Sequence, residues 1–242
     1  MARVETMIVR GTIDNIIFYE FRGTQAMRTK PKKVRQTKAT KSKALLFGKA
    51  VRMSAALRSN FVSLIPEGDR VKSIYVLNTA LLQWLGTNEP SSTEVLTRLS
   101  FIDKLQFNPV IPLGYRLQQP IITDWSKNGV VKLRIPEWKS GGGGVMPVDA
   151  VSVKWEFVVT GCDIADPYQT VRSNKTEIEI PYDGKLVPAQ DVELPFNLIK
   201  GGVHIVVTAL TYMVDKKGKT VLRDEEAWMP VGVVGSCFRP KA

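Results

Sequence analysis

From Asn108 onward the chain is broken by Pro109, Pro112, Pro120, Pro136, Pro147, Pro181, Pro188 and Pro195. The helical period disappears here, and proline, with no N–H to give to a helix interior or a central strand, punctuates the runs that remain. What fits is a series of short strands: Val130–Ile135, Val151–Val159, Thr176–Ile180, Val203–Val214 and Val231–Phe238, with turn signals at Asp183-Gly184 and Lys217-Gly218. Strands of this length and spacing predict an Ig-like antiparallel β-sandwich over residues 108–242. In Val151–Val159 the apolar Val151, Val153, Trp155, Phe157 and Val159 alternate with Ser152, Lys154 and Glu156, which predicts one buried and one wet face. Gly141 to Gly144 reads as a surface loop. A linker between two β lobes is the alternative, and no Lys-Ser or Lys-Thr follows to complete a phosphate-binding loop.

The preceding residues have a different period. Leu46, Ala50, Met53 and Leu57, with Phe61 next in the series, recur at helical spacing over Lys41–Ser59, while Lys43, Lys49, Arg52 and Arg58 fall largely elsewhere. A second helix is expected from Asp69, an N-cap residue type, to Leu85 with Gly86 as its stop, and a third from Ser91, Ser92, Thr93 and Glu94 to about Leu105. Before the helices, Ile13–Phe21 lies between Gly11 and Gly23 and leads into Ala26–Thr29, the pattern of a β-hairpin. The fold class is thus mainly β with a few helices, α+β. Its expected divisions are 1–60 (hairpin, basic arm, amphipathic helix), 61–107 (helical) and 108–242 (sandwich).

Charge is distributed unevenly over this plan. Of the formal +11, all resides in residues 1–60, which hold fourteen Lys and Arg against Glu5, Asp14 and Glu20; the remaining residues carry twenty bases and twenty acids. The densest stretch is Arg28, Lys30, Lys32, Lys33, Arg35, Lys38, Lys41 and Lys43, without an acid and with Pro31 enforcing local extension. It reads as an arm that reaches a partner, because like charges held together need an anionic surface to offset their repulsion.

Groups for catalysis are sparse. The single histidine, His204, falls inside a strand on the side of Val206, Thr208, Leu210 and Tyr212, where a structural role is the favoured reading. Asp224, Glu225 and Glu226 are consecutive and cannot share one side of a strand, so a solvated loop accounts for them. Cys162-Asp163 and Asp166 look like turn residues. No catalytic residue, metal ligand or cofactor is assigned, and the chain is read as non-enzymatic. Two cysteines, Cys162 and Cys237, allow one disulfide at most and leave its formation open. No early apolar core marks a secretory leader and no apolar stretch approaches a membrane span, so a soluble protein made in the cytoplasm is expected, with an exporter, lysis or an assembled particle as the route out.

The opening Gly11, Ile16, Tyr19, Arg22-Gly23, Arg28, Lys30-Pro31 and Lys32 carries one part of a resemblance. Thr37, Ala39, Lys43, Leu46-Phe47-Gly48, Ala50, Ala55 and Leu57-Arg58 carry a second. The third is Val153, Trp155, Asp166, Ile178, Ile180-Pro181, Val203, Ile205 and Lys217-Gly218-Lys219. On these residues the chain resembles a family of small basic bacterial proteins built around a domain of unknown function. The resemblance implies a basic N-terminal arm and a β-sandwich body, and no activity.

Two functions fit these expectations. The first is a structural subunit of a homo-oligomeric assembly, such as a phage-like coat, tube or surface filament. In it, Arg28, Lys30, Lys32, Lys33, Arg35, Lys38, Lys41 and Lys43 meet a neighbouring copy, with Ile16, Phe18, Tyr19 and Phe21 as inter-subunit strand candidates. The alternative is nucleic-acid binding or packaging through the same bases, with Phe18, Tyr19 and Phe21 stacking on nucleobases. A membrane partner is disfavoured because the arm lacks interleaved Trp, Phe or Leu.

Overall fold

The computed structural model describes residues 10–21, 23–30, 36–87, 96–115, 120–126, 129–140, 147, 149–168, 171–216, 219–222 and 229–241. The expectations for 91–94, 141–144, 217–218 and 224–226 lie outside them. The chain divides into two compact units, Met1–Lys43 and Ala44–Ala242.

In the first unit β1 (Gly11–Ile13), β2 (Ile16–Phe21) and β3 (Thr24–Thr29) form an antiparallel sheet in that order. The expected hairpin is therefore doubled, because Asp14 takes the left-handed conformation at φ 51° and lets Gly11–Ile13 fold back on β2. Gly23, at φ 78°, stands in the second turn. The helix expected from Lys41 begins earlier: α1 runs Lys38–Arg58, because the Thr37 hydroxyl accepts the Thr40 N–H at 3.2 Å and so caps it.

The second unit takes in α1 from Ala44 onward, then α2 (Arg70–Thr87) and the strands β4 (Thr97–Arg98), β5 (Ile122–Trp125), β6 (Val130–Ile135), β7 (Trp138–Lys139) and β8 (Ala150–Asp163). After them come β9 (Arg172–Pro181), β10 (Leu186–Val187), β11 (Gln190–Pro195), β12 (Gly202–Lys216), β13 (Lys219–Leu222) and β14 (Val231–Arg239). The large antiparallel sheet has the order β4-β14-β12-β8-β9, with β13 also paired to β12. A smaller sheet, β11-β6-β5, faces it, and β7 pairs with β10. Two facing antiparallel sheets are what the proline-punctuated half predicts.

The helices add a third layer. Met53, Leu57, Phe61, Leu77, Leu81 and Trp84 pack with Val158, Val203, Ile205, Val207 and Phe238 on one face of the large sheet. Val131, Leu133, Val192 and Leu194 of the smaller sheet pack with Trp155, Phe157, Val206, Leu210 and Tyr212 on the other. Covered on both sides, β12 is buried without a break from Gly202 to Tyr212.

This burial corrects the reading of Val151–Val159. From Phe157 to Cys162 both faces of β8 are buried, and only the segment before it keeps a wetter side. Val151 itself is exposed, because the pairing slips there: Met213 faces Ser152 and Val214 faces Ala150, leaving Val151 as a bulge. The third helix is a second correction. Thr97–Arg98 pairs with β14, Leu99 to Lys104 turns tightly, and backbone bonds join Phe107 N–H to Val231 O and Val233 N–H to Leu105 O. Leu99, Ile102 and Phe107 are buried by these turns and strand pairings, which take the backbone groups that a helix needs.

Candidate interaction site in the N-terminal unit

Registry assigns the side chains of the small sheet to two faces. Ile13, Ile16, Phe18 and Met27 share one, and Ile17, Tyr19, Phe21, Ala26 and Arg28 share the other. The candidates Ile16, Phe18, Tyr19 and Phe21 are therefore divided two and two. Neither face has a buried residue: every position of β1, β2 and β3 is exposed or intermediate, with Ile13 64%, Phe21 57% and Met27 70% exposed. The run Ile16–Tyr19, apolar without alternation, is the sequence signal of a strand that needs cover on both sides. Two polar contacts tie the sheet across its strands: Arg10 pairs with Glu20, and the Arg28 guanidinium carbon lies 5.7 Å from the Tyr19 ring centroid.

The basic candidates do not form one extended arm. Arg28 belongs to β3, and Lys30 continues the ladder by donating its backbone N–H to Asn15. Lys38, Lys41 and Lys43 are exposed on the first two turns of α1, while Lys32, Lys33 and Arg35 lie outside the described residues. The ends of the stretch differ from an arm because strand pairing at one end and the Thr37 cap at the other supply the order that apolar burial does not. Three lysines with no acid at a helix N-terminus oppose the helix dipole, so an anionic partner there is favoured by both charge and field.

The second unit contains a proximity that the sequence does not reveal. Pairing of β12 with β14 sets His204 opposite Cys237, 33 positions away, with Nδ1 3.8 Å from Sγ. His204 Nε2 accepts the Ile199 N–H at 2.8 Å, which places the ring proton on Nδ1 and leaves no lone pair to take the thiol proton. Burial pushes His204 down to about 3 and the Cys237 thiol above its ordinary range, so both are neutral. The rings of Trp125 and Phe196 lie 6.3 and 5.9 Å from the imidazole. This is a packed, hydrogen-bonded histidine, as its place in the strand implied.

A cavity of about 330 Å³ lies between β5 and β14, lined by Arg98, Asp103, Thr123, Trp125, Ser236 and Cys237 among others. The Asp103 carboxylate accepts from both Arg98 and Ser236, so its charge is compensated within the fold. Cys162 belongs to the helix-side cluster and Cys237 to the opposite one, and both are free thiols. Among the described residues no three His, Cys, Asp or Glu are grouped to hold a metal ion, and no helix is long and apolar enough to cross a membrane. Compared with protein-family models, curated proteins and solved structures, the chain matches none of them.

Proposed function

We propose that the protein is a non-enzymatic structural subunit of a homo-oligomeric assembly, of the coat, tube or filament kind, in which the N-terminal unit contacts a neighbouring copy. The observation that carries this reading is the small sheet with apolar side chains on both faces and no buried residue. Three short strands without a core are marginal in water, so the sheet gains its stability from a surface that covers it. The basic character of the unit, eleven bases against three acids in residues 1–43, gives the contact a charged component.

Nucleic-acid packaging is the competing reading, favoured by the exposed Lys38, Lys41 and Lys43. The division of Phe18 from Tyr19 and Phe21, and the seating of Arg28 against Tyr19, argue against a single platform for base stacking. Negative-stain imaging and light scattering of nuclease-treated protein separate the two. Assembly predicts particles or fibres that survive nuclease and are absent when residues 1–43 are deleted. A nuclease-treated monomer that shifts DNA or RNA, with affinity falling steeply as salt rises, reverses the order.

A further inference from the structure

Resting on that reading, we infer that β3 of one copy adds as a parallel strand to the outer edge of β9 in the next. Strand β9 is the edge of the large sheet: β8 is its hydrogen-bonded neighbour in the strand order, and no strand follows on its other side among the described residues. The direction of its backbone groups follows from one bond. Tyr182 N–H donates to Val151 O at 2.8 Å, in register with the β8 pairing. Even-numbered positions of β9 therefore turn their N–H and C=O toward β8, and Lys175, Glu177 and Glu179 turn theirs outward. Pro181 occupies the same outward parity, where its missing N–H costs the sheet nothing.

Strand β3 is likewise an edge. Lys30 N–H donates to Asn15 O, so even positions face β2 while Met27 and Thr29 present their backbone groups outward. Parallel and antiparallel docking of these two edges differ in which side chains they place together. Antiparallel pairing sets outward residue opposite outward residue, so Met27 meets Glu177 or another odd-numbered position. Parallel pairing sets Met27 opposite an even position. With Met27 against Ile178, the next pair is Arg28 against Glu179, and Thr29 falls against Ile180.

That one register gives both Met27 and Arg28 a matched partner, with Ile17, Tyr19 and Phe21 on the face of Arg28. Met27, 70% exposed, and the Ile13, Ile16 and Phe18 beside it continue the side of β9 that carries Ile178 and Ile180. Arg28 enters the row of Lys154, Glu156, Lys175, Glu177 and Glu179 on the opposite side, three acids to two bases, where Glu179 also accepts the Ser152 hydroxyl. The occupant is a second copy because both edges belong to the same chain, in separate compact units, and the basic unit is complementary to the acidic row. A contact between two different patches is head-to-tail, the type that closes into rings or continues as a filament.

Met27→Cys and Ile178→Cys chains, purified separately under reduction, mixed and then oxidised, test the contact, since native Cys162 and Cys237 are buried. Covalent heterodimers are expected at a yield at least about tenfold above that of Met27→Cys mixed with Leu186→Cys, whose exposed position is on β10. Equal yields, or a double variant that cross-links only within one chain, overturn the inference. In a second arm, Glu179→Pro removes an outward N–H, together with the carboxylate that accepts the Ser152 hydroxyl, and leaves the backbone ladder to β8 in place, so circular dichroism stays native while self-association weakens at least about tenfold. Glu179→Arg behaves similarly, and adding Arg28→Glu restores assembly. A wild-type protein that is monomeric sinks this contact together with the assembly reading. Wild type and Glu179→Pro assembling equally well sink the contact alone.

Discussion

Gly161 stands directly opposite His204 where β8 pairs with β12, and a Cβ built on it would lie 2.3 Å from the imidazole Cδ2. The ring is held by the Ile199 N–H and by packing on both sides, so it cannot retreat. Gly161→Ala should therefore lower the unfolding free energy by about 1–3 kcal/mol, read from urea denaturation of the folded variant. His204 also sets a pH dependence. Its proton affinity is lower in the folded chain than in the unfolded one, so its contribution is complete above the ordinary value of 6.5 and is lost as pH falls toward about 3. Across that window wild type should lose about 1 kcal/mol per pH unit more than His204→Gln. Parallel slopes in the two proteins would remove imidazole titration from the account.

At the scale of elements, α1 contrasts two kinds of apolar residue. Leu57 is 0% exposed in the cluster between helix and sheet, and Leu45 is 75% exposed one stripe away. Leu57→Ala should destabilise by about 2–5 kcal/mol, since a cavity opens beneath the sheet. Leu45→Ala should stay within about 0.5 kcal/mol by the same thermal or urea measurement. The stripe Ala50, Met53, Leu57 and Phe61 was legible because helical period and burial agree there. Leu99 and Ile102 carry a similar spacing, and the helix reading fails because β14 captures the backbone on either side of them. Strand β11 carries a period-two pattern of its own, with Val192 and Leu194, buried, alternating with Asp191 and Glu193. The β5 segment, four residues long, carries too little period to stand out, and its place is decided by pairing with β6.

For the whole molecule, both apolar clusters are built from residues at or beyond Ala50, so the second unit holds its own core. Deleting residues 1–43 should leave a cooperative thermal transition close to that of the full chain while abolishing particles in scattering and imaging. Loss of the transition would mean that the small sheet is part of the fold rather than its outward contact. Among the basic candidates, Arg28 lies in β3, Lys30 continues its ladder through Asn15, and Lys38, Lys41 and Lys43 are helical.

By itself, the sequence determined the strand-rich C-terminal half, the amphipathic α1, the opening hairpin and the concentration of positive charge at the N-terminal end. These are local properties: proline spacing, side-chain period and charge are set by neighbours along the chain. Only the tertiary structure decided that helices seal the back of the large sheet, that Cys162 and Cys237 lie on opposite sides of it, and that His204 meets Cys237 with its base nitrogen already occupied. It also decided which edges of β3 and β9 face outward. Each of these depends on register between strands far apart in sequence, and a shift of one residue would invert every face.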